Sequence, residues 1–243
     1  MSALLATAHR VLLQVRRDHR TLAMLLLVPC LLLALLAWLY EGSPQVFDRI
    51  GAPLLGLFPF VVMFLVTSVA TLRERRSGTL ERLLTMPMSK AAFVGGYAIA
   101  FGLLAIVQAG LAAALALGPL GLDVAGPLWL AVAVAVLDGL LGTALGLLVS
   151  AFATTEFQAV QFMPAVVLPQ VLLCGLLVPR EQMPDILRWI SDVLPLSYAV
   201  DAMRRVTVST AVNGDLVTDL GVIVGCIALA VALGAATLRR RSA

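Results

Sequence analysis

Six long segments of this chain are almost free of charged residues, and they constrain the fold more than any other feature. They cover residues 21–40, 50–72, 91–117, 128–151, 157–178 and 220–238. A helix needs about 20 apolar residues, at about 1.5 Å per residue, to cross roughly 30 Å of hydrocarbon. Asp138 is the one formal charge inside these segments. The sequence therefore predicts an all-α integral membrane protein with six transmembrane helices in one domain, residues 1–243.

Composition argues against the main alternative, a soluble helical bundle. The 243 residues are 61% hydrophobic and 13% charged, whereas a soluble domain carries about 25% charged residues. Cys30, Cys174 and Cys226 lie far apart inside the apolar segments, so we expect free thiols and no metal site. The first segment is too long for a secretory signal and lacks its cleavage pattern, so we expect it to remain as an anchor.

Basic residues predict which side of the membrane each loop faces. Twelve of the 17 Lys and Arg residues lie before the first segment, between the second and third, or after the sixth. Cytoplasmic loops are enriched in Lys and Arg, so both termini are predicted to be cytoplasmic. The excess of Arg over Lys indicates a bacterial source, and hence a bacterial inner membrane. Nucleic-acid binding would require a continuous basic surface, and the sequence does not predict one.

Two amphipathic regions flank the apolar segments. Residues 3–20 mix Arg and His with Leu and Val at helical spacing, which predicts either an elbow helix in the membrane interface or an ordinary basic flank before the first span. Residues 179–219 contain two further amphipathic stretches, at 183–194 and from a cap at Ser197 onward. We expect these to be short extracellular helices that re-enter the membrane and close the outer end of a pathway.

A charged stretch, RERRSGTLERLLTMP, runs from Arg73 to Pro87 between the second and third segments. Ser77 is a suitable N-cap, Glu81 falls in the first turn where the helix dipole favours an anion, and Pro87 ends the helix. Leu80, Leu83 and Leu84 then share one face. The pattern predicts a short cytoplasmic helix that is held by a soluble partner.

Residues for catalysis are missing from the sequence. The phosphate-binding pattern G-x-x-x-x-G-K requires a lysine after glycine, but the single lysine, Lys90, follows serine. The two histidines, His9 and His19, both precede the first apolar segment and form no metalloprotease motif. We therefore expect no enzyme activity and no cofactor on this chain.

Polar residues inside the apolar segments are candidates for a transport path. Asp138 heads a stripe with Gly142, Gly146 and Ser150 at steps of four. It either contributes a polar point to the path or lies in a packing seam of small residues. The fifth segment carries Gln158, Gln161 and Gln170 together with two prolines, which predicts a kinked helix lining the path or a rigid one bonded to its neighbours.

Two stretches resemble the permease subunit of type-2 ABC exporters, in particular the daunorubicin-resistance-type drug efflux branch. RERRSGTLERLLTMPMSK at 73–90 is similar to the family's coupling segment, while LPQVLLCGLLVPREQMP and LPLSYAVDAMR at 168–204 resemble its fifth span and re-entrant helices. The resemblance implies a homodimer or heterodimer of permeases bound to two ATP-binding subunits, which hold the ATP and Mg. It assigns contact with those subunits to Gly78, Thr79, Glu81 and Leu84, and we expect the surrounding residues Arg73, Glu74, Leu80 and Leu83 of the same segment to take part. Arg76 departs from the pattern, because relatives often have an acid there.

These observations predict a permease that exports an amphipathic small molecule, such as a drug, an antibiotic or a lipid-like metabolite. One alternative keeps the fold and changes the cargo to a polysaccharide or lipid-linked polymer. Aromatic platforms inside the spans would favour that cargo, and the chain is 6% aromatic. The other alternative is a secondary transporter that moves protons through Asp138, although such proteins generally carry several ionisable groups in the membrane.

Overall fold

The structure is a computed structural model that describes residues 3–76 and 90–237, with side chains described for 3–74 and 93–237. Ten α-helices and no strands occur in those residues. Their bounds are α1 Ala3–Arg17, α2 His19–Leu39, α3 Pro44–Arg76, α4 Lys90–Leu117, α5 Leu128–Ser150, α6 Glu156–Phe162, α7 Leu168–Leu173, α8 Asp185–Val193, α9 Pro195–Val208 and α10 Gly214–Thr237. A π-helix, Met163–Val167, joins α6 to α7, and a 3-10 turn, Arg180–Gln182, precedes α8.

Six helical segments within the described residues are long and apolar enough to cross a membrane. They are His19–Leu39, Pro44–Glu74, Phe93–Leu117, Leu128–Ser150, Glu156–Leu173 and Gly214–Thr237. This confirms the predicted all-α fold with six spans. The second span (α3) and the sixth span (α10) begin six residues earlier than predicted, because a helix continues through polar residues that hydropathy alone excludes.

The fifth span ends at Leu173, five residues before its predicted end. Gly175 has φ +89, a left-handed conformation that glycine adopts readily and that commonly ends helices. The span of 18 residues is about 27 Å long at helical rise. Pro164 and the π-helix interrupt its middle, in agreement with the predicted irregularity.

Helices α3 and α5 form the tightly packed centre of the bundle. A Cβ added at Gly142 would collide with the carbonyl oxygen of Phe60, and one at Gly146 would lie 2.6 Å from that of Phe64. Only glycine allows the two backbones to approach so closely, as small residues do in many membrane helix pairs. Helix α2 is largely exposed and buries only Leu25, Pro29 and Leu33.

Successive spans run in opposite directions, which gives the bundle two ends. At the α1 end lie helix α1, the end of α3, the beginning of α4 and the turn before α6. Helix α1 crosses α4 closely, because a Cβ on Gly96 would lie 2.6 Å from Thr7 Cβ. At the α8 end lie α8, α9 and the loop 118–127, whose Gly126 N–H donates to Val206 O at 2.9 Å.

Candidate functional site

At the α1 end, the last turns of α3 are joined to helix α1 by a buried carboxylate. Glu74 forms an ion pair with Arg10, and its other oxygen accepts from Gln14 Nε2 at 3.4 Å. Arg10 also donates to the Tyr97 hydroxyl on α4 at 3.1 Å. The Glu74 side chain is only 12% exposed. Glu74 of the predicted coupling segment thus holds α1 at the end of α3, and Arg10 extends the contact to α4.

The neighbouring residue, Arg73, points to the fifth span. Its Nε and Nη2 donate to the two carboxylate oxygens of Glu156 at 3.2 and 3.3 Å, the fork geometry in which arginine binds carboxylates most specifically. Both side chains remain about half exposed. Glu156 is in the first turn of α6, where the helix dipole stabilises an anion. The end of α3 therefore contacts α1 through Glu74 and α6 through Arg73.

Between these contacts the helices enclose a cavity of about 400 Å³. Its walls come from α1, α2, α3, α4 and α6, and most of them are apolar, including Val15, Met24, Val66 and Val69. Its polar lining comes from Gln14, Asp18, Thr21, Arg73 and Glu74, with the buried Tyr97 beside them. Sequence periodicity gave no sign of this cavity, because it forms between helices that are distant in the chain.

Asp138 lies in the centre of the bundle, in the seam between α3 and α5. It is 1% exposed and faces Gly56, where any added Cβ would collide with its carboxylate. Its Oδ1 has no hydrogen-bond partner among the described residues. The small residues that follow it, Gly142 and Gly146, contact the backbone of α3. A role for Asp138 on a transport path stays a prediction.

The three glutamines of the fifth span occupy different environments. Gln158 Oε1 accepts from Thr154 N and Oγ1 at 2.8 Å, so this side chain closes the turn before α6. Gln161 is exposed, whereas Gln170 is buried and donates to Val166 O at 3.1 Å. The structure does not gather them around one point, and their place on a path stays a prediction.

Sequence reasoning missed one buried polar contact, that of Gln108 in α4. Pro29 has no N–H, which frees the carbonyl oxygen four residues before it, on Leu25. Gln108 Nε2 donates to that oxygen at 2.8 Å. The available signal was a proline and a glutamine in neighbouring spans, but nothing in the sequence shows that the two helices adjoin.

At the α8 end, a network of charged groups ties α8 and α9 to the end of the fifth span. Arg180 forms ion pairs with Asp192 and Asp201, and its guanidinium lies 5.4 Å from the centre of the Tyr198 ring. Arg204 Nη2 donates to Gly175 O at 2.6 Å, and Ser191 Oγ donates to Leu173 O at 2.7 Å. Burial raises the pKa of Asp201, and the Arg180 guanidinium opposes that rise.

Helices α8 and α9 are present where two amphipathic helices were predicted, with one difference. Helix α9 begins at Pro195, which suits the first turn because it needs no N–H there. Ser197 therefore lies inside α9 and does not cap it, and its hydroxyl is 3.0 Å from that of Ser191. Whether these helices re-enter the membrane, and whether α1 lies in the interface, stay predictions.

Most of the predicted coupling helix lies outside the described residues. This applies to its cap Ser77 and to six of the eight coupling residues, Gly78, Thr79, Leu80, Glu81, Leu83 and Leu84. Arg73 and Glu74 are the two that the structure describes, and they contact α6 and α1.

A helical bundle of six candidate spans, with an amphipathic helix before it and two short helices near its end, defines the class of multi-pass helical membrane proteins. Residues 2–208 match the family described as ABC-2 type transporter. The chain belongs to this family, which confirms the resemblance found in the sequence. Its members are transporter permeases and not catalytic enzymes.

Several curated proteins are similar to the chain over much of its length. A probable multidrug ABC transporter permease, YbhR, of Escherichia coli is 28% identical over 158 residues, which is 65% of this chain and 43% of that protein. The linearmycin resistance permease LnrN of Bacillus subtilis is 25% identical over 181 residues, 74% of this chain and 47% of that protein. ABC transporter G family member 20 of Dictyostelium discoideum is 26% identical over 167 residues, 68% and 23% of the two chains. The chain thus matches less than half the length of each relative.

Proposed function

We propose that this chain is the permease subunit of an ATP-driven efflux transporter that exports amphipathic small molecules such as drugs or antibiotics. The observation that carries the proposal is the family match over residues 2–208. Two of the similar permeases are named for multidrug transport and for resistance to linearmycin. ATP and Mg bind to a separate ATP-binding subunit, and a second permease, identical or related, completes the path.

The ATP-binding subunit contacts the segment between α3 and α4 in this proposal. The contacts of Arg73 and Glu74 support it, because they connect the base of that segment to α6 and α1. A force on the segment then reaches the fifth span and the elbow helix directly. Gly78, Thr79, Glu81 and Leu84 match the coupling motif and are the contact residues.

Co-purification tests this assignment. The chain is expressed with an ABC ATP-binding subunit that co-purifies with it, and Glu81→Ala and Leu84→Ala are compared with the native chain. We expect both variants to recover less ATPase and to lose drug-stimulated ATP hydrolysis. Glu181→Ala, an exposed acid near the α8 end, is the matched control and should behave as the native chain. Native recovery and turnover in both coupling variants would refute the assignment.

The proposed orientation places both termini and the 77–89 segment in the cytoplasm of a bacterial cell. Labelling of single cysteines tests it, after Cys30, Cys174 and Cys226 are replaced. A membrane-impermeant maleimide should label Thr79→Cys only in inverted vesicles and Glu181→Cys only in intact spheroplasts. The opposite pattern would reverse the orientation and remove the coupling segment from the reach of ATP.

A further inference from the structure

We propose that the turn between α1 and α2 binds the phosphate group of an anionic phospholipid, whose acyl chains lie along the exposed face of α2. Arginines at the turn supply the charge, and apolar side chains of α2 supply the surface for the chains. Such a lipid site does not depend on which cargo is exported.

Three arginines lie at this turn, close to the start of the first span. They are Arg16 and Arg17 at the end of α1 and Arg20 in the first turn of α2, and all three are exposed. None of them forms an ion pair within the described part of the chain. Arginine keeps its charge at physiological pH and presents several N–H groups that match a phosphate. The turn therefore offers guanidinium groups that no carboxylate of the described residues contacts.

One acid, Asp18, lies between Arg17 and Arg20 and does not cancel their charge. Its carboxylate caps α2, accepting from Thr21 N at 3.1 Å and from Thr21 Oγ1 at 2.7 Å, and the charge of Arg73 also acts on it. Three positive charges against one negative leave the turn with a net charge of +2. An anionic membrane surface favours each nearby arginine by about fivefold, so this charge should select anionic over zwitterionic lipid.

Next to the turn, α2 presents a continuous and exposed apolar face. At about 100° per residue, Arg20 shares this face with four apolar residues, Met24, Leu27, Leu31 and Leu35. These four side chains are 55–66% exposed. Leu31 lies about 17 Å along the helix from Arg20, close to the hydrocarbon thickness of one leaflet, about 15 Å. An arginine followed by apolar side chains over this length matches a phospholipid in both charge and dimensions.

The charge also argues against the same face of a second copy as the occupant. Two copies with the same orientation in the membrane that met through this face of α2 would bring their arginine clusters to the same depth. Like charges would then oppose the contact. The phosphate of a lipid carries the opposite charge and neutralises the cluster.

Quenching by brominated lipids tests the proposal. Trp38, Trp129 and Trp189 are replaced by Phe in the full chain, and Met24→Trp places a single fluorophore on the exposed face of α2. The chain is reconstituted in phosphatidylcholine bilayers that contain a minority of either dibrominated phosphatidylglycerol or dibrominated phosphatidylcholine. We expect phosphatidylglycerol to be preferred next to the fluorophore by roughly fivefold or more. Leu27→Trp, on the same face, should report the same preference and replaces Met24→Trp if that variant does not fold.

The double variant Arg17→Ala and Arg20→Ala tests the charge and should bring the preference close to one. Arg49→Ala is the matched control, because Arg49 is also exposed, lies near the start of a span and makes no ion pair among the described residues. It should leave the preference unchanged. Glycerol 3-phosphate, a soluble phosphate without acyl chains, should not reduce the preference at millimolar concentration. Displacement by it would show a site for free phosphate and overturn the lipid assignment.

Three further results would overturn the proposal. Equal quenching by the two lipids would show that the arginines are an ordinary solvated flank. Weak quenching by both lipids would show that a protein surface, such as a second copy, covers this face of α2. Poorer recovery of an ABC ATP-binding subunit in the double variant, with the lipid preference unchanged, would assign the arginines to a protein contact.

Discussion

The two ends of the bundle use ion pairs in different ways. At the α8 end, Arg180 contacts two carboxylates and an aromatic ring, and its side chain is 15% exposed. At the α1 end, Arg73 pairs with Glu156 beside a cavity, and these side chains are 62% and 47% exposed, although the neighbouring pair of Arg10 with Glu74 is less exposed. Buried networks hold one geometry, whereas exposed pairs contribute little and separate easily. The comparison indicates that Arg180 holds the α8 end in one geometry, whereas the contact of α3 with α6 through Arg73 can separate.

The largest expected effect comes from Arg180→Leu. This change leaves the mostly buried Asp201 without its main partner, and such losses cost about 3 kcal/mol in the free energy of unfolding. SDS titration in mixed micelles measures the change. Arg188→Leu breaks only the exposed pair with Asp185 and should change the free energy by less than about 0.5 kcal/mol. Equal effects of the two substitutions would show that the α8 end is no more fixed than an ordinary surface.

The penalty of Arg180→Leu should depend on pH. Burial raises the pKa of Asp201 above its unfolded value, and loss of Arg180 removes a group that opposes the rise. An acid with a raised folded pKa costs stability above that pKa and ceases to do so once both states are protonated. The deficit should therefore be smaller at pH 5 than at pH 8. A deficit that is constant with pH, in the same titration, would assign it to lost packing and not to the carboxylate.

A smaller effect is expected for Arg10→Leu at the α1 end. Glu74 loses its guanidinium partner but keeps the contact with Gln14, so we expect about 1.5 kcal/mol. Hydrogen exchange should rise first in α1, before the bundle unfolds globally. The control is Arg16→Leu, an exposed arginine of the same helix. Uniform acceleration of exchange in all helices would indicate that α1 and the spans form one cooperative unit.

The smallest effect on stability is expected for Arg73→Ala. The pair with Glu156 is half exposed, so its loss should cost at most about 0.5 kcal/mol. On the proposed function, the same change should lower drug-stimulated ATP hydrolysis while basal hydrolysis persists, because Arg73 connects the coupling segment to α6. Glu156→Gln should give a similar result. A large loss of stability with native stimulation would invert the comparison between the two ends.

Hydropathy predicted the six spans because a membrane imposes length and apolarity on each of them separately. It placed the end of the fifth span too late, at 178, because Leu176–Val178 are apolar and the turn at Gly175 depends on backbone conformation. The preference of serine for N-cap positions likewise placed the start of α9 at Ser197, two residues after Pro195, where the helix begins. Local signals of this kind were present in the sequence but were outweighed by hydrophobicity.

The site was less accessible from the sequence, for a physical reason. The pairs Arg10–Glu74 and Arg73–Glu156 join residues 64 and 83 positions apart. No periodicity within one helix shows which distant helix it adjoins, so the cavity between α1, α2, α3, α4 and α6 was not foreseen. The polar character of Asp138 and Gln170 was visible, but not that Asp138 faces Gly56.

The contact of Gly142 and Gly146 with the carbonyl oxygens of Phe60 and Phe64 has a consequence for how such a protein changes shape. Backbones in direct contact cannot slide or rotate past each other without steric overlap, so α3 and α5 should travel as a single rigid rod throughout a working cycle. Any change of shape would then move the other helices relative to this pair.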